Sequence, residues 1–271
     1  MIRTLLVPVD ESIEAERSVL VAAAVARSTR AVVELVTVDS PHVETDEVRR
    51  YHERLTEGPL RGVTVHGTVV LTDDPVADVL VRLRSATAGG LLCLSTRAPG
   101  PLGEAVVGSV GEAVLHRSQD PVLFVGPALR PSPAAPVRVT GPVVVALEGD
   151  EQDRPVIEAA IDWAAATGSE LHFTHVVTAP DAPDARSGTR SLLARSVEDA
   201  GQRGVVALAE PVDAGDAGTG LLRLLRTTPA GILVVGSHRR GVIGRLAFGT
   251  HAEWLVRRAP CPVLVAGTPG P

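Results

Sequence analysis

The segment GSHRRGVIGRLAFGTHAEWLVRR, beginning at Gly236, gathers the residues of this chain best suited to hold an anion. Glycines at 236, 241, 244 and 249 let a phosphate approach the backbone. The last of them, with Thr250, opens a helix whose amino end offers unpaired N–H groups and the positive pole of its dipole. His238, Arg239, Arg240 and Arg245 add positive charge to the same stretch. Glu148 and Asp10 each follow an apolar run, where a carboxylate can meet the hydroxyls of a bound sugar or cap the next helix. The chemistry implied is the binding of an anionic ligand, most simply a nucleotide phosphate.

Other chemistries lack their residues. All 26 basic residues are arginine, so a Walker-type phosphate loop, a Schiff base and a kinase-type catalytic lysine are excluded. There is no GxSxG elbow and no HExxH pair. Asp73 and Asp74 precede Pro75 at a helix start, where they favour the dipole, and no facing partner completes a catalytic pair. His172 and His175, three apart in a strand, point to opposite faces and do not share a metal. The remaining histidines read as surface or satisfied polar contacts. Cys93 and Cys261 lie in or beside apolar runs without metal or redox spacing, which reads as buried, reduced thiols. A formal charge of −6 without basic runs argues against nucleic acid. No apolar run is long enough for a membrane span. The expectation is a cytoplasmic, non-enzymatic binding protein.

The elements that position these residues come twice. TLLVPVDESIEAERSVLVAAAVA, from Thr4, matches PVVVALEGDEQDRPVIEAAIDWAAA, from Pro142, so that Asp10 falls on Glu148. Further on, GSVGEAVLHRSQDPVLFV matches GTHAEWLVRRAPCPVLVA, so that Gly108 and Ser109 fall on Gly249 and Thr250. The proline-rich stretch between the copies reads as a stiff linker over 128–140, with flanking domains 1–127 and 141–271. Apolar runs in the first copy predict strands over 4–9, 32–38, 63–71, 91–95 and 122–125, separated by helices. The second copy repeats that order near Val143, Leu171, Val205, Ile232 and Val263. Aromatics are only 2%, so Val, Leu, Ile and Ala must fill the core, which suits strands covered on both faces. The fold class is α/β: two tandem, doubly wound, parallel five-stranded sheets, Rossmann-like, with helices on both faces. In the order 3-2-1-4-5 the ligand crevice lies between strands 1 and 4, at their carboxyl ends.

The loop after strand 4, the Ala-Pro-Cys-Pro-Val turn before the last strand, and the opening strand ending in Pro-Val-Asp together resemble the universal stress proteins. The resemblance spans nearly the whole chain, twice. It implies an adenine nucleotide, ATP with Mg²⁺, bound at Gly, two residues, Gly, nine residues, Gly-Ser or Gly-Thr after strand 4. It also implies an Asp after strand 1 near the adenosine. The second copy keeps Gly236, Gly249 and Thr250 but has Arg239 at the middle glycine and Glu148 for the Asp. The first keeps Asp10, Gly108 and Ser109 but has Ser95 and Ala98 for the earlier glycines. A non-glycine residue forced left-handed costs roughly 1 to 2 kcal/mol, which Arg239 can offset by bonding phosphate. The second copy is therefore the better phosphate site, and the first the better ribose site. Gly249 and Thr250 can equally form a turn for close helix packing, and Asp10 an ordinary cap. Val38 and Val176, closing strand 2 in each copy, either flank an adenine or belong to the core. In the family the last strands form dimer contacts, so PVLFV and PVLVA are expected to join the halves as an intramolecular pseudo-dimer, with a homodimer left open. The alternative function is an interaction module whose nucleotide sites have decayed.

Overall fold

A computed structural model describes residues 2–41, 45–96, 109–130, 137–149, 153–178, 183–237 and 250–267. In the first half the order is β1 (Thr4–Pro8), α1 (Ile13–Thr29), β2 (Val32–Asp39), α2 (Thr45–Glu57), β3 (Val65–Leu71), α3 (Val76–Ala86), β4 (Gly90–Ser95), α4 (Ser109–Arg117) and β5 (Val122–Val125). The second half runs β6 (Val143–Ala146), α5 (Asp153–Thr167), β7 (Leu171–Thr174), β8 (Val176–Val177), α6 (Pro183–Gln202), β9 (Ala207–Ala209), β10 (Val212–Asp213), α7 (Ala217–Thr227), β11 (Ile232–Gly236), α8 (Thr250–Arg258) and β12 (Val263–Ala266).

Each half has the expected 3-2-1-4-5 order, and the two sheets fuse into one: β3-β2-β1-β4-β5-β12-β11-β6-β7-β9. Every pairing within a half is parallel, and only the seam is antiparallel, with Val122 opposite Val265 and Phe124 opposite Val263. The carboxyl ends of the strands therefore face opposite ways in the two halves. One apolar layer joins α1, α2, α5 and α6 to the sheet, and the other joins α3, α4, α7 and α8. Strands covered on both faces must be apolar throughout, which is why β5, β11 and β12 contain scarcely a polar side chain.

Glycine closes the seam. A Cβ added at Gly126, just after β5, would stand 1.7 Å from the Val256 carbonyl oxygen on α8. One added at Gly267, just after β12, would stand 2.3 Å from the Gln119 carbonyl oxygen in the first half. Only a residue without a side chain permits either approach, and the two glycines hold matching positions in the two halves. Val139, ahead of β6, is 2% exposed and belongs to the core.

Two local readings need correction. Val176 does not close the second strand of its half; it opens β8, which pairs with β10 as a separate two-stranded sheet. Pro211, between β9 and β10, turns its nitrogen to the open edge, while Glu210 and Val212 on either side donate to the Phe173 and His175 carbonyls. Ile13 has the helical spacing of a core residue but is 73% exposed, because it is the first residue of α1, beyond the edge of the packed layer.

Candidate nucleotide site

The turns after β1 and β6 share one conformation with different supports. Glu11 has φ 60° and its counterpart Gly149 has φ 96°, so the fold demands a left-handed residue here in both halves. In the first half Ser12 caps α1 by accepting from the Ala15 amide at 3.1 Å, and Asp10 accepts from the Ser12 amide at 3.2 Å. In the second half Asp153 lies where the first has Ala15, and it is 1% exposed. Its carboxylate accepts from the amides of Glu148, at 2.9 Å, and Gly149, at 2.7 Å. The backbone donors after β6 are thus already bound by the protein's own anion.

The ends of β1 and β2 are tied by a side chain in each half. Thr37 donates its hydroxyl to the Val9 carbonyl at 3.2 Å, and the matching His175 places Nδ1 2.9 Å from the Leu147 carbonyl. A carbonyl only accepts, so His175 Nδ1 carries the proton and Nε2 holds a lone pair.

Around these ends in the second half lies a cavity of about 880 Å³. Leu147, Glu148 and Gly149 line it after β6, His175 and Val176 after β7, and Val235 and Gly236 at the end of β11. It sits at the switch point between β6 and β11, where open parallel sheets hold their ligands. The opening turns of α7 and α8 complete the wall with Asp216, Gly218, His251 and Ala252. Asp216 caps α7, accepting from the Thr219 amide at 2.8 Å. That amide, together with the charge of His251, holds its carboxyl below the usual range. Gly218 and Gly220 let α7 close on its neighbours: a Cβ at the first would meet the Trp254 ring at 2.8 Å, and one at the second would meet Val176 at 3.1 Å.

Of the residues singled out in the sequence, Glu148, Val176 and Gly236 come together in this cavity. Asp10 and Val38 lie at the corresponding ends of β1 and β2, on the opposite edge of the sheet. Thr250 begins α8 and Ser109 begins α4, their side chains falling outside the described atoms. Gly108, His238, Arg239, Arg245 and Gly249 lie outside the described residues. Gly236 and α8, whose first turn reaches the cavity through His251, bracket the glycine- and arginine-rich segment between them. Sequence reasoning passed over Asp153, Asp216 and the seating of His175. An acidic residue just ahead of α7 was the one visible signal for a cap at Asp216.

Among the described residues no group of three His, Cys, Asp or Glu side chains is placed to hold a metal, and no helix is long and apolar enough to cross a membrane. Cys93 and Cys261 are free and buried.

No curated protein sequence matched the chain. Among solved structures, a universal stress protein from Pseudomonas aeruginosa covers 97% of this chain and 92% of its own, at 18% identity and TM-score 0.67. One from Archaeoglobus fulgidus covers 97% of both, at 19% identity and TM-score 0.68. Shorter universal stress proteins align with about half of the chain, among them one in complex with cAMP, with 22% identity, 48% of this chain and 98% of its own covered, and a TM-score of 0.41. The model of the universal stress protein family matches residues 1–126 and again 140–267, so the chain belongs to that family and carries its domain twice.

Proposed function

We propose that the second half binds an adenine nucleotide, ATP with Mg²⁺ in the first instance, and that the chain acts as a nucleotide-responsive regulator in the stress response rather than as an enzyme. The observation that carries this reading is the cavity at the β6/β11 switch point, which brings Glu148, Val176 and Gly236 into one wall. Its volume suits a ligand of nucleotide size, and its lining mixes aliphatic side chains with polar and charged ones such as Glu148, His175, Arg195 and Asp216.

The geometry favours one orientation. Asp153 already occupies the amides after β6, so a phosphate there would face a buried carboxylate. The phosphates belong instead on the side of Gly236 and α8, and the sequence between those two carries Arg239 and Arg245. Glu148 is then placed for ribose hydroxyls and Val176 for the face of the base. His175 Nε2, an acceptor while neutral, favours a base edge that carries an amino group.

The direct test denatures the purified protein, analyses the supernatant for adenine nucleotides, and titrates ATP with and without Mg²⁺. Saturable binding that weakens when Gly249 is made bulky supports the reading. Unchanged affinity in that variant moves the phosphates elsewhere. Absence of binding at millimolar ATP favours an interaction module, whose best support is the seam that already uses the β5 and β12 edges. Regulation further requires the ligand to prefer one of two arrangements of the chain, since a ligand shifts an equilibrium only by its differential affinity.

A further inference from the structure

Among its described residues, the cavity at the β6/β11 switch point has two carboxylates in its wall, Glu148 after β6 and Asp216 ahead of α7. Beside the His175 ring already tied to Leu147, two described side chains there can carry positive charge: Arg195 on α6 and His251 in the first turn of α8. His251 is exposed, opens onto the cavity and makes no hydrogen bond among the described residues. Its imidazole lies close enough to Asp216 for its charge to help hold that carboxyl below the usual range.

Packing holds the two side chains in this relation. Asp216 is pinned at the head of α7, where its Oδ1 accepts from the Thr219 amide at 2.8 Å. The opening turn of α7 rests on α8, since a Cβ added at Gly218 would meet the Trp254 ring at 2.8 Å. Trp254 follows His251 by three residues and so shares its face of α8.

An anion entering on the α8 side meets the Asp216 carboxylate, and like charges at short range oppose binding unless a cation stands beside them. His251 is the described residue of α8 that can supply it. The first half has no such group at the matched position: GSV aligns with GTH, so Val110 stands where the second half has His251.

We propose that His251 is a phosphate-binding side chain of this cavity, donating to a terminal phosphate oxygen and offsetting Asp216, so that the site selects phosphorylated over unphosphorylated adenosine. This role rests on the nucleotide reading above and gives that site a side chain that sets how strongly phosphate is preferred.

The full chain and its His251→Val variant, which copies the first half, are titrated with ADP and with adenosine by ligand-observed NMR. Mg²⁺ is left out, and the pH is about 6, so that imidazolium is available. His251→Val should weaken ADP by about tenfold, the size of one charge-assisted hydrogen bond, and leave adenosine within about twofold. Adding Asp216→Asn should recover part of the ADP affinity, because asparagine still caps α7 while the carboxylate facing the phosphate is gone. A merely structural role for His251 would move both ligands together and gain nothing from Asp216→Asn. Unchanged ADP affinity in His251→Val, an equal loss for adenosine, or no recovery in the double variant overturns the proposal. Where adenosine binds too weakly to measure, the double variant decides; where His251→Val loses its native circular dichroism, His251→Gln replaces it with the same expectations. ADP that fails to bind the unmodified chain at millimolar levels removes the nucleotide reading itself, a different result from ADP that binds and ignores His251.

Discussion

Replacing Gly126 by alanine should separate the halves. An added Cβ would lie 1.7 Å from the Val256 carbonyl oxygen, where ordinary contacts begin at 3.4 Å, so the two backbones must part by about 1.7 Å. The obstacle is main chain on a packed helix and cannot rotate aside. A movement of that size also pulls on the short antiparallel ladder beside it, which pairs only Val122, Leu123 and Phe124 with their partners. Overpacking of this kind costs about 1 to 3 kcal/mol and each ladder bond lost adds about 1, so a total near 3 kcal/mol is expected. For a chain of this size that is a fall in melting temperature of about 6 to 12 °C. Calorimetry should show the loss together with a broadened or split transition, as two units cease to unfold as one. Gly201→Ala, in α6 with nothing within 4 Å of the new Cβ, is the control and should be neutral or slightly stabilising. A Gly126→Ala protein melting in one transition at the original temperature would refute this account of the seam.

Asp153→Asn turns an amide nitrogen toward one of the two N–H donors that the buried carboxylate now serves, and urea unfolding should register a loss of about 1 to 3 kcal/mol. His175→Leu removes both the tie to Leu147 and the acceptor proposed for the base, so competition titrations should show reduced preference for adenine over hypoxanthine nucleotides. Burial pushes the Cys93 and Cys261 thiols up to about 12, so alkylation at pH 8 should proceed only as the chain unfolds. The same shifts set a pH dependence. The unfolded thiols lose their protons near pH 9 while the folded ones keep them, so their contribution is intact below pH 9 and is lost as pH rises toward 12. Denaturant midpoints measured between pH 8 and 11 should fall accordingly.

The alternation of strand and helix, and its repetition, were legible because strands buried on both faces leave uninterrupted apolar runs such as LLCLS and ILVVG. The joining of the two sheets was expected only from the family resemblance, in which the last strands form dimer contacts; the apolar PVLFV and PVLVA report cover on both faces and not what pairs with their edges. Harder to see was the interruption at His175, between β7 and β8, which no residue type in that stretch announces. Asp153 and the seating of His175 lay beyond sequence reasoning for a different reason. Asp153 acts through the backbone of a turn and His175 through a carbonyl far back in the chain, and neither spacing nor residue type reports which carbonyl or amide will be the neighbour. Glu148 and Gly236 could be read together because the switch-point rule is topological and needs no side-chain detail, and both line the cavity.

The antiparallel seam has an evolutionary consequence. In a symmetric dimer of identical subunits every substitution is made twice, so a change that suits one ligand pocket is imposed on the other. Here the twofold relationship is built into a single polypeptide, and each pocket can drift alone. Asp10 facing Glu148 in the matched position, and Ser95 facing Gly236, are differences that such an arrangement permits.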